Sequence, residues 1–483
     1  MRKMTCFRWT LLIVCTLAAS LTSFGADHLR APEGARTPLD EYVAKPDPNY
    51  AWEIVTTFEG DNFTSYTVNL TSQAWQPPEK VEPTIWKHWL TVVVPKQVKS
   101  DKALLLIGGG SNKEEAPKAA SAIIRNAAIS SGAVCAELGQ VPNEPTVFES
   151  DGRKRSEDAI IAYGWAKFMR SGDPLWLLRL PMTKAAVRAM DTIQEMCAKL
   201  QPTPVTINGF VVVGGSKRGW TTWTTAAVDN RVVACMPAVI DLLNMVPSFI
   251  HHYQAYGNWT LAVFDYVKEG VMDWMNSPEM DALCRIVEPY SYRDRLTMPK
   301  YIVNAAGDQF FLNDSWKFYL HDLQGPTWIR YCPNSGHGLE NAKPHEAATA
   351  FLRFIAENKP IPTYQWTFED ANTVRVTADT KPLAVKLWQA TNPERRDFKV
   401  DTFGRNWTST DLQPESDGSW RARVETPAKG WTAFLIELTF PGPGEETFVV
   451  TTPTQVVPDT MPYDPPKPGD WSEGFLHKQK ASQ

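Results

Sequence analysis

The pattern of apolar and polar positions divides the chain into regions with different periodicities. After an initial segment, Thr37–Thr71, that leads into strands, short apolar runs alternate with stretches of helical period. Such alternation predicts an α/β fold with a mostly parallel sheet and helices on both faces. The predicted strands are Trp86–Val94, Ala103–Ile107, Ala133–Leu138, Thr206–Val213, Val232–Ile240, Lys300–Ala305 and Thr327–Cys332, and the predicted helices are Glu114–Ser130, Glu157–Met169 and Lys184–Leu200.

Two regions depart from this alternation. Residues 241–298 separate two core strands by far more than an ordinary crossover, which predicts a helical cap insertion. After Ile361 the helical period disappears, and residues 362–457 predict a C-terminal antiparallel β-sandwich. Its strand candidates are TVRVTA, AVKLWQA, SWRARVE, TAFLIELTF and TFVVTT. Residues 458–483, rich in Pro, Asp and Lys, are predicted to be a tail.

The N-terminus has the organisation of a secretory signal peptide. Basic residues precede the apolar stretch Trp9–Leu21, and small residues suited to cleavage stand before Ala26. That stretch is too short to span a bilayer, and no other segment is apolar for long enough. We therefore expect residues 1–25 to be a signal peptide and the mature protein to be exported, periplasmic or secreted, with no membrane span.

Composition argues against several kinds of partner. The formal net charge is −5 without a long block of like charge, so neither nucleic acid nor an anionic membrane surface is predicted as a partner. Five cysteines follow the signal region, and an odd number without close spacing fits neither a disulfide framework nor a zinc site. A single disulfide bridge is compatible with this pattern, but the sequence does not identify the pair. His251 and His252 are adjacent and would diverge on a helix, so we interpret them as cap residues, structural or substrate-contacting, and predict no metal.

The run VVVGGSKRGW at Val211–Trp220 is typical of a strand that ends in a sharp turn before a helix. In the nucleophile elbow of α/β-hydrolases, small residues flank the serine because the strained turn leaves no room for side chains. Gly214 and Ser216 fit the usual G-x-S-x-G spacing, whereas Arg218 occupies the last small position and Gly219 follows one residue late. The run predicts Ser216 as the nucleophile of a variant elbow.

Acid and base candidates follow in the chain order of α/β-hydrolases, which is serine, acid, histidine. Asp308 stands at the end of one predicted core strand, and His337 follows the next strand between two glycines. In such a triad the serine attacks, the histidine accepts and returns the proton, and the acid orients the histidine and stabilises its cation. We predict Ser216, Asp308 and His337 as catalytic residues, with Asp241 and Asp314 as rival acids.

Backbone donors for a developing oxyanion are predicted at two places. Three glycines follow an early apolar strand, and we assign Gly109 and Gly110 to the oxyanion hole. The amide of Lys217, directly after the nucleophile, is the second donor. A flexible loop would also explain the glycines, whereas a dinucleotide site is disfavoured because the spacing G-x-G-x-x-G is absent. No cofactor is predicted.

Motifs spread over most of the mature chain match a known family. They are TPLDEYVAKPDPNYAWE, WKHWLTVVVP, LLLIGGGSN, QVPNEP, EDAIIAYGWAKF, DPLWLLRLPMTKAAVRAMD, GGSKRGWTTW, HHYQAYGNW and NAAGDQFF with NSGHG. From about Thr37 to about His337 the chain resembles the PhoPQ-activated pathogenicity-related proteins. The resemblance implies an α/β-hydrolase fold, a secreted or periplasmic setting and a poorly defined activity. It also implies a serine at Ser216, an acid at Asp308 and a histidine at His337. With the signal peptide and the change of pattern after Ile361 as limits, the catalytic domain is predicted to span residues 26–361.

The elbow alone is similar to that of glucuronoyl esterases, with Lys217 in place of their arginine. Peptidases of the prolyl-oligopeptidase type share the expected fold, but this chain shows no propeller repeats ahead of its catalytic domain. The basic pair Lys217–Arg218 either attracts an acidic substrate or forms salt bridges to the sheet or the cap. Three acidic residues lie in neighbouring loops, namely Glu137, Glu144 and Glu149. They either bind an amine or a cation of the substrate or are solvated.

The sequence thus predicts an exported serine hydrolase that cleaves an ester or amide by acyl transfer. Its substrate is a small molecule, a glycan or a peptide, and the choice between peptidase and uronate-type esterase stays open. The alternative is a non-catalytic binding or signalling protein on a hydrolase scaffold. The predicted β-sandwich, the nineteen tryptophans and the uncertain activity of the family motivate that alternative.

Overall fold

A computed structural model describes residues 28–481, so the predicted signal peptide lies outside the described residues. Most of the chain up to Cys332 is organised around a nine-stranded sheet. The strands in this part are β1 (Ala51–Glu59), β2 (Phe63–Ala74), β3 (Val81–Glu82), β4 (Ile85–Pro95), β5 (Lys102–Ile107), β6 (Val134–Leu138), β7 (Thr146–Phe148), β8 (Lys154–Arg155), β9 (Gly209–Gly215), β10 (Val232–Ala238), β11 (Lys300–Ala305) and β12 (Thr327–Cys332).

The large sheet has the strand order β1-β2-β4-β6-β5-β9-β10-β11-β12. The pairs from β6 to β12 are parallel, whereas β1, β2, β4 and β6 pair antiparallel at the other edge. Strands β3, β7 and β8 form a small separate sheet. The predicted mostly parallel sheet is therefore confirmed, and the carboxyl ends of β9, β11 and β12 lie along one edge of it.

Helices cover both faces of this sheet. Along β5, Leu105 and Ile107 pack with residues of α4 and α5, while Leu104 packs with residues of α2 and α9. Because successive side chains of a strand point to opposite faces, burial on both faces explains the nearly unbroken apolar sequence. The helices are α1 (Pro38–Ala44), α2 (Ala122–Ser131), α3 (Asp158–Ser171), α4 (Arg179–Ala198), α5 (Lys217–Val228), α6 (Met245–Tyr256), α7 (Phe264–Lys268), α8 (Pro278–Val287), α9 (Pro344–Ala356) and α10 (Phe475–Ala481).

Several helices differ from the expectations, and α4, for example, begins at Arg179 instead of at Lys184. The helix predicted over Glu114–Ser130 begins only at Ala122, because the residues before it form turns, in which the Glu114 carboxylate accepts the N–H of Ser111 (2.9 Å). Helix α1 was not expected. It starts at a capping box in which the N–H of Thr37 donates to the side chain of Asp40 (2.7 Å).

Between β10 and β11 the chain forms the predicted helical insertion, which contains α6, α7 and α8. Helices α7 and α8 pack against α3, so this part of the insertion extends the helical layer of the sheet. Helix α6 and the turn after it lie nearer to the loops that follow β11. Short 3₁₀ helices occur at Pro174–Trp176, Leu261–Val263, Val271–Trp274, Pro289–Arg295, Ser315–Phe318 and Leu320–Asp322.

The C-terminal part consists of antiparallel sheets, as predicted. One sheet has the order β13-β14-β17, and the other has the order β16-β15-β18-β19, with β20 paired to β18. Val374 and Val376 of the first sheet share a core with Phe434 and Ile436 of the second. The strands are β13 (Tyr364–Asp370), β14 (Thr373–Ala378), β15 (Ala384–Asn392), β16 (Thr408–Asp411), β17 (Trp420–Arg423), β18 (Trp431–Pro441), β19 (Thr447–Thr451) and β20 (Gln455–Val457).

The segment after β20 lies along α3 and the insertion between β10 and β11. The indole N–H of Trp471 donates to the carbonyl oxygen of Asp273 (2.7 Å). The ring of Phe475, at the start of α10, lies 5.7 Å from that of Phe168 in α3. The segment that the sequence predicts as a tail is thus packed against the insertion and α3.

Three properties of residues 28–481 bear on the kind of protein. No helix in this range combines the length and the apolar character needed to cross a membrane. No group of three or more His, Cys, Asp or Glu side chains in this range could hold a metal ion. The five cysteines in the described part are unpaired, and they are Cys135, Cys197, Cys235, Cys284 and Cys332.

Candidate active site

Ser216 stands at the tight turn between β9 and α5. Its backbone has φ 56° and ψ −127°, which is strained for a residue with a Cβ, and its N–H donates to the carbonyl oxygen of Ala238 (2.8 Å). Two neighbouring positions have no room for a side chain. A Cβ on Gly214 would lie 2.5 Å from the carbonyl oxygen of Arg218, and one on Gly219 would lie 2.8 Å from that of Ala238. The late glycine of this elbow is therefore required where it stands.

Asp308 and His337 lie in the loops after β11 and β12 and are hydrogen bonded to each other. Nδ1 of His337 is 3.0 Å from Oδ1 and 2.9 Å from Oδ2 of Asp308. The N–H of Phe310 donates to the same carboxylate (2.8 Å), and the N–H of His337 donates to the side chain of Gln309 (2.9 Å). The carboxylate therefore favours a proton on Nδ1 and leaves Nε2 as the acceptor of the ring.

Ser216 and His337 line one cavity of about 280 Å³, which we call the apolar cavity because most of its lining is aliphatic. Nε2 of His337 is buried, and among the described residues it has no hydrogen-bond partner, Ser216 included. Hydrogen bonds of catalytic pairs are often formed only when the substrate is bound. The nitrogen opposite Asp308 is thus able to accept a proton from a hydroxyl group in the same cavity.

The rival acids are engaged elsewhere. Asp241 accepts hydrogen bonds from two tyrosine hydroxyls (2.7 and 2.5 Å), and burial raises its pKa to about 7. Asp314 is paired with His251 (2.8 Å) and also with an arginine and a lysine. Of the three acids considered from the sequence, Asp308 is the one that contacts His337.

The glycine loop after β5 packs beside the elbow. A Cβ on Gly109 would lie 2.4 Å from Nη2 of Arg218, so this glycine leaves room for the guanidinium. Gly110 has φ +117°, and a Cβ there would lie 2.7 Å from the carboxylate of Glu114. Neither glycine is among the described residues that line the apolar cavity. Gly109 therefore lies beside the elbow, and Gly110 is the next residue of the same loop.

The third predicted donor, Lys217, lines a smaller cavity of about 30 Å³ together with Ser216. Its side chain is buried and points to the start of α3, where Nζ lies 2.5 Å from Glu157 and 3.2 Å from Asp158. Arg218 makes two hydrogen bonds to the carboxylate of Glu157 (3.0 and 2.8 Å). The basic pair therefore forms salt bridges, and its partner is α3 rather than the sheet or the cap.

Glu157 is a residue that the sequence did not single out. Its backbone has φ 56° and ψ −130°, nearly the conformation of Ser216. Burial opposes its ionisation, but Arg218 and Lys217 outweigh burial and lower the pKa of Glu157 to about 2. Its N–H donates to the carboxylate of Glu144 (2.5 Å), whose own pKa burial raises to about 7. The acidic pair Glu157–Asp158 at the start of α3 was the available signal, since its charge is opposite to that of the basic pair of the elbow.

The adjacent histidines of α6 have structural contacts. His251 pairs with Asp314, and the ring of His252 stacks on that of Trp259 with their centroids 5.9 Å apart. Burial lowers the pKa of His252 to about 3, so its ring is neutral at ordinary pH. Of the remaining acids considered from the sequence, Glu137 accepts a hydrogen bond from the hydroxyl group of Ser121 (2.7 Å).

The strand order and the strand-end loops define an α/β-hydrolase fold. The family model described as PhoPQ-activated pathogenicity-related protein matches residues 39–399. The chain therefore belongs to this family, and the resemblance seen in the sequence is confirmed. The chain is also similar to autocrine proliferation repressor protein A of Dictyostelium discoideum, with 38% identity over 459 residues, 88% of this chain and 92% of that protein.

Acetyl xylan esterases are among the solved structures that resemble this one. The enzyme from Paenibacillus sp. R4 matches with a TM-score of 0.45 and 15% identity, over 68% of this chain and 97% of that chain. Acetyl xylan esterase 1 from Thermoanaerobacterium sp. JW/SL YS485 matches with a TM-score of 0.44 and 13% identity, over 69% of this chain and 96% of that chain.

Proposed function

We propose that the protein is a serine hydrolase in which Ser216 attacks the carbonyl carbon of an ester or an amide. The hydrogen bond between Asp308 and His337 carries this proposal, since it leaves the opposite ring nitrogen without a partner, and His337 lines the same cavity as Ser216. A strained elbow serine and an acid-oriented histidine are what an activated hydroxyl nucleophile requires.

In the proposed reaction Nε2 of His337 accepts the hydroxyl proton while Ser216 forms a bond to the carbonyl carbon. Asp308 keeps the ring in place and stabilises the imidazolium. His337 then donates the proton to the leaving alcohol or amine, and water releases the acyl group from the serine by the same route. The amide of Lys217 in the first turn of α5 is one proposed oxyanion donor, and Gly109 or Gly110 is the other.

A fluorophosphonate probe tests this proposal directly. We expect the purified protein to be labelled at Ser216, and we expect Ser216→Ala to lose both the label and the hydrolysis of activated acyl esters. Ser111→Ala, which changes a serine of the glycine loop outside the apolar cavity, is the matched control and should be labelled like the natural protein. A folded protein that is not labelled would overturn the proposal.

We also propose that the protein is exported. The basic residues, the apolar stretch and the small residues before Ala26 support removal of residues 1–25. N-terminal sequencing of the protein from the producing cells should find a chain that begins near Ala26. An intact N-terminus on cytoplasmic protein would contradict export.

A second candidate is a binding or signalling protein on a hydrolase scaffold. The name of the relative, an autocrine proliferation repressor, favours it. Growth of the producing cells after addition of purified protein separates the candidates. If Ser216→Ala represses growth as well as the natural protein does, binding is favoured; if repression is lost while the fold persists, hydrolysis is favoured.

A further inference from the structure

The apolar cavity runs from the carboxyl ends of the central strands along the face of the sheet that α2 and α9 cover. Ser216 and His337 line it at the strand ends. Lining residues of α2 and of the first turn of α9 are also partly exposed, and they include Ile123, Pro344 and His345. The aliphatic walls are formed by Leu104, Val213 and Met236 of the sheet, Ile123 and Ala127 of α2, and Ala348 of α9.

No Asp, Glu, Lys or Arg side chain is among the described residues that line this cavity. Its polar side chains are Ser216, Thr349 and the histidines His337 and His345. A sugar or an α-amino group placed there would lose more hydrogen bonds to water than these few side chains could replace, which is costly. An aliphatic chain would instead gain the free energy of leaving water. The lining thus selects for hydrocarbon.

A larger cleft of about 430 Å³ lies between α6 and the loop that follows β15, but its chemistry is different. Charged side chains line it, including Lys399, which is paired with Asp397 (2.7 Å). Ser216 is not among its lining residues, so a reacting carbonyl cannot meet the nucleophile there. The apolar cavity, of about 280 Å³, is larger than the cavity of about 30 Å³ that Ser216 also lines.

We propose that the apolar cavity binds the acyl chain of the substrate, and that the preferred substrates are esters of aliphatic acids longer than acetate. This inference rests on the proposed hydrolase function. Oγ of Ser216 forms the new bond to the acyl carbon, the bond to the alcohol oxygen breaks, and His337 transfers the serine proton to the departing alcohol. Water then cleaves the acyl-serine bond, and the aliphatic acid leaves with no change of oxidation state.

Chain length is the first test. With p-nitrophenyl esters from acetate through butyrate and hexanoate to octanoate, we expect kcat/KM to rise about fourfold for each methylene group that becomes buried. Leucine p-nitroanilide, which carries an apolar side chain but also a free amine, should be a poor substrate. A preference for acetate, or for the leucine derivative over octanoate, would overturn the inference.

Filling the cavity is the second test. Ala348→Phe should lower the ratio of kcat/KM for octanoate to that for acetate by at least about tenfold, since the ring occupies the space of the chain. Ala122→Phe is the matched control, because Ala122 is exposed on α2 and does not line the cavity. An unchanged ratio in Ala348→Phe, or an equal change in both variants, would overturn the inference.

Binding of the free acid separates failure of the inference from failure of the hydrolase proposal. Calorimetry on Ser216→Ala should detect octanoate but not acetate, and Ala348→Phe in the same background should weaken octanoate binding. Octanoate binding without turnover of any ester would support binding of an aliphatic chain in the apolar cavity and would overturn the hydrolase proposal. Turnover without a chain-length preference and without octanoate binding would overturn the cavity inference alone.

Discussion

The N–H of Val400 donates a hydrogen bond to the carbonyl oxygen of Gly307, the residue before Asp308 (3.0 Å). The methyl groups of Val400 also occupy the space beside two glycines. A Cβ on Gly307 would lie 2.7 Å from one methyl, and a Cβ on Gly336, the residue before His337, would lie 2.7 Å from the other. The C-terminal β-structure, through the loop after β15, therefore contacts the loops of both the candidate acid and the candidate base.

This contact predicts that Val400→Ala slows hydrolysis more than its effect on folding explains. Loss of two methyl groups should lower the free energy of unfolding by about 1–2 kcal/mol. The loosened loops should lower kcat by about tenfold or more, because small displacements of catalytic groups are costly. Val385→Ala, at a buried position of β15 away from these loops, is the control for stability. Equal losses of kcat in both variants would contradict a positioning role of Val400.

The identity of the acid is tested by a pair of conservative changes. We expect Asp308→Asn to lower kcat by about 10⁴-fold, because an amide no longer fixes the tautomer of His337 or stabilises its cation. Asp241→Asn should keep kcat within a few-fold of the natural value, since Asp241 contacts tyrosine hydroxyls instead of the histidine. Steady-state kinetics on both variants measure the two effects, and circular dichroism checks that both variants are folded. If Asp241→Asn were the inactive variant, the acid of the triad would be Asp241 instead of Asp308.

The parts of the site that could be predicted from the sequence are those set by local structure. A strand that ends in Gly214–Gly215 before Ser216 implies a tight turn, and the parallel sheet brings the ends of β11 and β12 to the same edge. The partner of the basic pair could not be predicted in this way. Glu157 meets Arg218 across 61 residues of sequence, so only the packing of α3 on the elbow shows which acid is used.

The contact of Glu157 with Glu144 predicts a dependence of stability on pH. Burial raises the pKa of Glu144 to about 7 from its ordinary 4.5, so the folded protein holds this proton more tightly than the unfolded chain. The stabilisation is complete below about pH 4.5 and is lost as the pH rises through about 7. Glu157, with a pKa of about 2, stays ionised across this range.

We therefore expect the Tm of the natural protein to fall more steeply between about pH 5 and 8 than the Tm of Glu144→Gln. The glutamine stays neutral and still offers an oxygen to the N–H of Glu157. Thermal unfolding monitored by circular dichroism over this range measures the difference. Glu149→Gln, at an exposed position, should keep the natural slope. A natural slope in Glu144→Gln would show that this carboxyl does not titrate as inferred.

The elbow itself predicts opposite outcomes for its two adjacent glycines. A methyl group on Gly214 would lie 2.5 Å from the backbone oxygen of Arg218, and backbone at the start of α5 cannot move without shifting Ser216. Gly214→Ala should therefore abolish fluorophosphonate labelling of Ser216 and lower stability by about 2 kcal/mol or more. Gly215→Ala meets only a methyl of Val239 at 3.8 Å, an ordinary contact, so its labelling rate should stay within a few-fold of the natural rate. Equal tolerance of both changes would mean that the turn is not held as tightly as these contacts require.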